Sequence, residues 1–407
     1  MSRKIADTFI VAAKRTPFGA FGGKLKDVSA TELGAHASTA ALDTLPESAR
    51  KAVSSTIFGN VMHTSKDAAY LARHVGLRAG LAQETPALTI NRLCGSGFQA
   101  VINAVHEISL GDSDIVLTGG TESMSQAPYI LRSGRWGTRY GVDQTLEDSL
   151  AHSLVDQYPG TSTPCPMGNT AEKLGAQYGI TRGDCDAFAL LSQQRASKGQ
   201  ESGAFTEEIA PMQVKGKKRG ETETLGLDEH PRPSTKLENL TKLSPVFKKG
   251  DGLVTAGNAS GICDGAAAVV VASADAVSSH SINPLARVVS YGVVGVDPSI
   301  MGIGPVPAIH MALKRAGLTL DQMDLIEVNE AFAAQFLSVQ KELSLESERT
   351  NVNGGAIAIG HPLAASGSRI LAHLAHTLRA TGKRYGLGSA CIGGGQGIAV
   401  IIENVEA

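Results

Sequence analysis

Short apolar bursts alternate along the chain with stretches of helical periodicity. The runs TFIVAA, PALTI and DIVLTGG are strand-like, and between them ATELGAHASTAAL and GSGFQAVINAVHEISLG carry apolar residues at helical spacing. This order predicts an α/β domain. In the second helical stretch Phe98, Val101, Ile102, Val105 and Ile108 recur at steps of three and four and form one apolar face, with Gly111 as a stop. Cys94 then falls where a strand turns into a helix.

The C-terminal part repeats the design. LIEVNEAF reads as a strand entering a helix, SGSRILAHLAHTLRATG as an amphipathic helix, and YGLGSACIGGG as a strand entering a glycine turn. Ser96-Gly97 and Ser366-Gly367, 270 residues apart, each open a helix that leads to a strand ending in glycines, which indicates duplication. Between Glu122 and Asp251 the texture becomes polar and rich in Pro and Gly, as in KGKKRG and DEHPRPSTKLENLTKL. A connection this long is expected to be an inserted lid or loop domain. The expected division is an N-terminal domain (1–121 with 252–275), the insertion (122–251) and a C-terminal domain (276–407).

Composition narrows the classes. With 407 residues and 42% hydrophobic content the chain can bury more core than one ordinary domain needs. Lys+Arg 37 against Asp+Glu 39 leaves a net charge of −2, which removes the global electrostatic case for nucleic acid. Five cysteines without a C-x-x-C pair argue against a disulfide framework and a zinc ribbon, so no metal is expected. No apolar run reaches the roughly 18 residues of a membrane span, and Phe9 to Ala13 begins too early to follow a secretory or cleaved import signal.

Four elements can carry chemistry. A cysteine at a helix N-terminus meets unpaired N–H groups and the positive end of the dipole, so Cys94 in CGSG is expected to favour thiolate, and its amide to point at a substrate oxygen. Standing alone it is more often a small buried residue. His361, between Gly360 and Pro362, can take a proton from a thiol, although most of the chain's other histidines should be structural. Cys391 in SACIGGGQG can shuttle the proton that an expelled enolate needs, and Gly393 N–H can face an oxyanion; the alternative is a plain tight turn. Asn329 in NEAF can orient a water or cap a helix, and Glu330 can be a first-turn acid.

In the order CGSG, NEAF, GHP and CIGGG, these motifs resemble the active-site set of the thiolase family, nearest its mitochondrial 3-ketoacyl-CoA branch. Further likeness runs through VAAKRTPFGAFGG, NRLCGSGFQA, GGTESMSQAPY, TAGNASGICDGAAA, DPSIMGIGPVPA and ACIGGGQGIAVII. The resemblance implies a thiolase fold of two duplicated halves layered α-β-α-β-α with an inserted lid, assembled as a homodimer or homotetramer. It implies that Cys94 is acylated, that His361 activates it, and that Cys391 is the proton donor and acceptor. Asn329 would hold a water in one oxyanion hole with His361, and the amides of Cys94 and Gly393 would form the second. Coenzyme A would be a co-substrate with no tightly bound cofactor, its tunnel lined by Arg232, Thr235, Ser260 and Gly261, and the basic run Lys215 to Arg219 would be steering charge or a solvated loop.

By the same likeness the reaction is thiolytic cleavage of a 3-ketoacyl-CoA in fatty-acid degradation. Family members dedicated to acetoacetyl-CoA often carry histidine before the lid methionine, whereas this chain has Pro166-Met167-Gly168-Asn169-Thr170-Ala171-Glu172, which favours longer acyl chains. The alternatives are an acetoacetyl-CoA synthesising enzyme and a non-catalytic CoA or lipid carrier. A mitochondrial matrix location with uncleaved targeting is implied by likeness, with the cytoplasm as alternative. Two positions depart from the pattern. Ala364 replaces a common glycine and would cost stability only if the backbone there needed positive φ, so tolerance is expected, and Cys263 has no assigned role.

Overall fold

The computed structural model describes residues 6–155, 165–216, 218 and 220–407. The N-terminal half consists of strand β1 (Thr8–Arg15), helix α1 (Ala30–Leu42), β2 (Ser55–Gly59), α2 (Leu71–Arg78), β3 (Ala87–Ile90), α3 (Ser96–Leu110) and β4 (Ile115–Ser123). After a long excursion come β5 (Cys263–Ser273) and then the C-terminal half: β6 (Ala286–Gly295), α7 (Pro305–Ala316), β7 (Leu325–Val328), α8 (Ala333–Leu343), α9 (Ala365–Thr381), β8 (Tyr385–Ile392) and β9 (Gln396–Asn404). Helix starts and stops follow local chemistry. Ser29 and Glu32 form a reciprocal capping box on α1, and Gly111, Gly317 and Gly382 end α3, α7 and α9 in the left-handed conformation.

The duplication expected from the glycine spacing is visible in the strand order β7-β8-β9-β6-β1-β5-β4-β2-β3. Strands β1, β5, β4 and β2 correspond to β6, β9, β8 and β7, and in each half the two inner pairings are antiparallel and the next is parallel. The halves join through antiparallel pairing of β1 and β6 at Phe9↔Arg287 and Ile10↔Ala286, giving one continuous sheet. Where the first half has β3, the second has a single parallel bridge between Ile326 and Thr350.

Burial on both faces of each half-sheet explains the layering. One core lies between α1, α2 and the N-terminal half-sheet, and a second between α7, α8 and the C-terminal one. Between the two half-sheets a third core surrounds α3 and α9, completing the five α-β-α-β-α layers. The central helices cross at the two glycines that marked the repeat. A Cβ on Gly97 would fall on the main-chain amide of Ser368 and 2.7 Å from its hydroxyl; one on Gly367 would fall on the amide of Phe98 and 2.7 Å from its ring. These reciprocal contacts require hydrogen at both positions. Helix α9 is therefore not amphipathic in place: Ser366, Ser368, Arg369 and His373 are all buried, so its polar side needs partners rather than water.

The excursion between β4 and β5 carries helices α4 (Ser149–Val155), α5 (Met167–Gln177) and α6 (Arg182–Glu201) and a hairpin of Met212–Lys215 with Thr222–Leu225. Glu122 and Ser123, read as its first residues, belong to the fully buried β4. The excursion is fastened by buried charge: Arg15 of β1 pairs with Glu208 at 2.6 Å and Asp228 at 2.6 Å, and Glu208 also meets His373 of α9 at 2.6 Å. Of the basic run, Lys215 pairs with Asp27 and Lys218 with Glu221 on the exposed hairpin end, while Lys217 and Arg219 lie outside the described residues. Among the described residues no helix is long and apolar enough to cross a membrane, and no group of three or more His, Cys, Asp or Glu could hold a metal ion.

Candidate active site

Cys94 sits in a single 3-10 turn, Leu93–Gly95, between β3 and α3. Its neighbour Leu93 has φ 48, a strained value for a branched residue, held by Leu93 N–H donating to Asn91 Oδ1 at 2.9 Å and by Ser96 Oγ accepting from Arg92 N–H at 2.8 Å. The thiol is 5% exposed. Burial pushes it up to about 11, and the N–H groups of Gly393 and of Cys94 itself pull only partly the other way. The expectation that the helix terminus would favour thiolate is thus corrected: burial outweighs the main-chain N–H donors, and the resting residue is a thiol.

A candidate base for it lies in the turn before α9. Gly360 has φ 97, and a Cβ there would lie 2.6 Å from Cys263 Sγ, so Cys263 is the floor of the His361 turn. His361 N–H donates to Gly261 O at 2.9 Å. Its ring Nδ1 is 2.6 Å from Ser366 Oγ, and the Ser366 hydroxyl donates to Pro362 O at 3.3 Å. Nδ1 must then carry the hydrogen, which leaves the lone pair on Nε2. Burial and the nearby Arg369 charge depress the imidazole to about 4, so at neutral pH it is uncharged and able to accept a proton. Ala364 has φ −69, an ordinary helical value, so alanine is tolerated at that position, as expected.

Asn329 follows β7, with Nδ2 3.4 Å from His361 Nε2 and with Oδ1 buried and unpartnered, an arrangement suited to a bound water. It is not a helix cap, because α8 begins only at Ala333. Glu330 is not a solvated first-turn acid either. It is buried and accepts from Ser192 Oγ at 2.7 Å, Asn351 Nδ2 at 2.9 Å and Ile357 N–H at 3.2 Å, which ties α8's approach to the segment leading to His361. Cys391, near the end of β8, is 1% exposed; burial and then the neighbouring Cys94 raise its thiol well above the usual range. Gly393, two residues on, is covered by Met167, whose Cε would lie 2.7 Å from a Cβ there.

Cys94, His361 and Cys391 open onto one cavity of about 430 Å³, walled by Met124, Leu154, Met167, Phe247, Phe332 and Leu363. Ser260 and Gly261 line it as well, as does Pro166. Arg232 and Thr235 are not on this wall: Arg232 is exposed, and Thr235 Oγ1 donates to Arg232 O at 2.7 Å in a local turn. That turn abuts the cavity rim through His230, whose ring occupies the space beside Gly261. Sequence reasoning missed two residues here, Ser366 and Glu122. Ser366 carried a signal, its placement five residues after His361 at a helix start. Glu122 carried none beyond being a charge inside an apolar strand. Chemically, the arrangement offers a nucleophile, an unprotonated ring nitrogen, a second thiol and amide donors in an apolar enclosure that strengthens their interactions.

Comparison with known proteins agrees with this chemistry. The sequence profile described as "Thiolase, N-terminal domain" matches residues 8–275, and that described as "Thiolase, C-terminal domain" matches residues 282–404. The mouse protein "3-ketoacyl-CoA thiolase, mitochondrial" is 61% identical over 97% of this chain and 98% of its own length. "Acetyl-CoA acetyltransferase" of Syntrophomonas wolfei is 47% identical over 99% of this chain and all of its own. The crystal structure of human mitochondrial 3-ketoacyl-CoA thiolase in complex with CoA is 58% identical, covers both chains fully and superposes with a TM-score of 0.95. With both profiles matched in tandem and a relative this similar from end to end, the chain belongs to the thiolase family of acyltransferases.

Proposed function

We propose that this chain catalyses the CoA-dependent cleavage of 3-ketoacyl-CoA to acetyl-CoA and a shortened acyl-CoA, as in fatty-acid β-oxidation. The observation that carries the reading is the convergence of Cys94, His361 and Cys391, from both halves of the fold, on one apolar cavity. Cys94 gives its proton to His361 Nε2 while the sulfur attacks the 3-keto carbon, and the oxyanion formed there is met by the amides of Cys94 and Gly393, while His361 and a water on Asn329 hold the thioester oxygen that becomes the enolate oxygen. The C2–C3 bond then breaks, Cys391 protonates the departing acetyl-CoA enolate, and the acyl group remains on Cys94. Coenzyme A next gives its thiol proton to the Cys391 thiolate and takes the acyl group, with the tetrahedral oxygen held again by the Cys94 and Gly393 amides and the departing Cys94 sulfur recovering its proton from His361.

Pro166 at the cavity wall, in place of a bulkier histidine, supports acyl chains longer than four carbons. The test is thiolysis of 3-ketoacyl-CoA substrates from four to about sixteen carbons, with Cys94→Ala as the control. Activity rising beyond four carbons supports the degradative reading, and activity confined to acetoacetyl-CoA supports the synthesising one. Full turnover in Cys94→Ala would sink the covalent mechanism.

Residues 124–251, after the end of β4, form the lid in this reading, and Arg232 and Thr235 at the rim bind the nucleotide end of coenzyme A. A homodimer or homotetramer would cover the edge strand β3, where Leu88 is half exposed, and the exposed Trp136 and Tyr140; light scattering of the purified protein decides the stoichiometry. The mitochondrial names of its relatives support a matrix location, which fractionation tests.

A further inference from the structure

Glu122 lies one residue from the end of β4 with no solvent exposure. Its partners are main-chain N–H groups: Val61 at 2.6 Å and Ala364 at 3.4 Å on Oε1, and Met62 at 3.2 Å on Oε2. A carboxyl group buried without a cation is expensive. The three donors come from different halves of the fold. Val61 and Met62 follow β2, while Ala364 lies three residues after His361 in the turn that opens α9. Met62 and Leu363 pack with Cys94, Met124 and Leu150 in one small apolar cluster, and Leu363 and Met124 line the cavity beside Cys94.

We propose that Glu122 is a positioning residue for the reaction: its carboxyl group fastens the Val61–Met62 loop of one half to the His361 turn of the other, and so fixes Met62 and Leu363 around the Cys94 sulfur. The role rests on the reading of Cys94 as the acylated nucleophile. The titratable groups facing Glu122 are Asp264 on β5, which opposes its ionisation, and the thiols of Cys94 and Cys263, whose ionisation it opposes in turn. Burial, reinforced by Asp264, pushes Glu122 up to about 8. Its charge therefore works against the Cys94 thiolate in alkaline solution and is largely absent below that pH.

Glu122→Gln keeps the shape and one acceptor oxygen, but it turns an NH2 toward the Met62 N–H and removes the charge. The experiment compares wild type, Glu122→Gln and Glu122→Ala in three measurements: thermal midpoint, kcat and KM for thiolysis, and the rate of Cys94 alkylation by iodoacetamide from about pH 7 to about pH 10. For the glutamine variant the expected result is a midpoint within a few degrees of wild type, kcat about tenfold lower with KM for CoA unchanged, and faster alkylation at about pH 9. A wild-type kcat and alkylation profile in Glu122→Gln would overturn the proposal, and so would activity lost only in proportion to folded protein. If Glu122→Ala does not fold, the glutamine variant decides. Alkylation needs no turnover: an alkylation shift in a protein without thiolytic activity would sink the functional reading and not the clip. An active wild type whose glutamine variant shows no shift and no loss would do the reverse.

Discussion

Gly97→Ala probes the crossing of the two central helices and, through it, the catalytic pair. The new Cβ would meet the main-chain amide of Ser368, Ser368 Oγ at 2.7 Å and Ala364 O at 2.8 Å. The hydroxyl can rotate away, but the amide and the carbonyl cannot. Helices α3 and α9 must then separate by roughly half an ångström or more to restore ordinary contact distances. Overpacking of this kind costs about 1–3 kcal/mol, and the upper end applies because main chain has to move. Better helix propensity returns at most about 1 kcal/mol, less at the second residue of a helix. The net expectation is a loss of about 2 kcal/mol. Cys94 directly precedes α3 and the His361 turn directly precedes α9, so the same separation draws nucleophile and base apart, and a misplacement approaching 1 Å costs up to about a hundredfold in rate. The assay is urea unfolding and thiolysis on one preparation, with Gly183→Ala as the control, since its nearest neighbour would be Thr181 Oγ1 at 3.7 Å. A Gly97→Ala protein as stable and as active as wild type would refute both the close crossing and its link to the site.

Ser366→Ala removes the acceptor that holds the His361 Nδ1 hydrogen; acylation is expected to fall at least tenfold with an unchanged melting midpoint, measured by the pre-steady-state burst. Glu208 is buried, which alone would raise it, but the charges of His373 and then Arg15 overcome burial and hold it down at about 2. Its folded-state value is below the unfolded one near 4.5, so its contribution is present above that pH and lost as pH falls through about 2. Glu208→Gln should lose about 3 kcal/mol near pH 6, because His373 loses the carboxylate it pairs with while Arg15 keeps only Asp228, and should show a flatter acid limb in unfolding midpoint against pH. Pro166→His adds a ring to the cavity wall, and the ratio of kcat/KM for long over short 3-ketoacyl-CoA substrates should fall several-fold; an unchanged ratio would remove Pro166 from the specificity argument.

The sequence alone determined the elements and the order of the chemistry. Hydrophobic periodicity located β1, α1, α3 and α9, Gly111 and Gly382 marked true helix ends, and the spacing of Gly97 and Gly367 disclosed the repeat. These features rest on hydrogen bonds and side-chain spacing within a few residues, so they are legible in one dimension. Joint occurrence of four motifs likewise named the family before any coordinates. Tertiary structure alone decided the electrostatic sign of the site. Cys94 has the helix terminus that the sequence promised, yet lies so deep in packed side chains that its thiol rises instead of falling. Glu330 could be read as a first-turn acid and is a buried tie, α9 looked amphipathic and is surrounded, and Ser366 and Glu122 acquire their roles from partners that only folding supplies. Desolvation and long-range hydrogen bonding depend on which distant segments close over a group, and that information is spread over both halves of the chain rather than written beside the residue it governs.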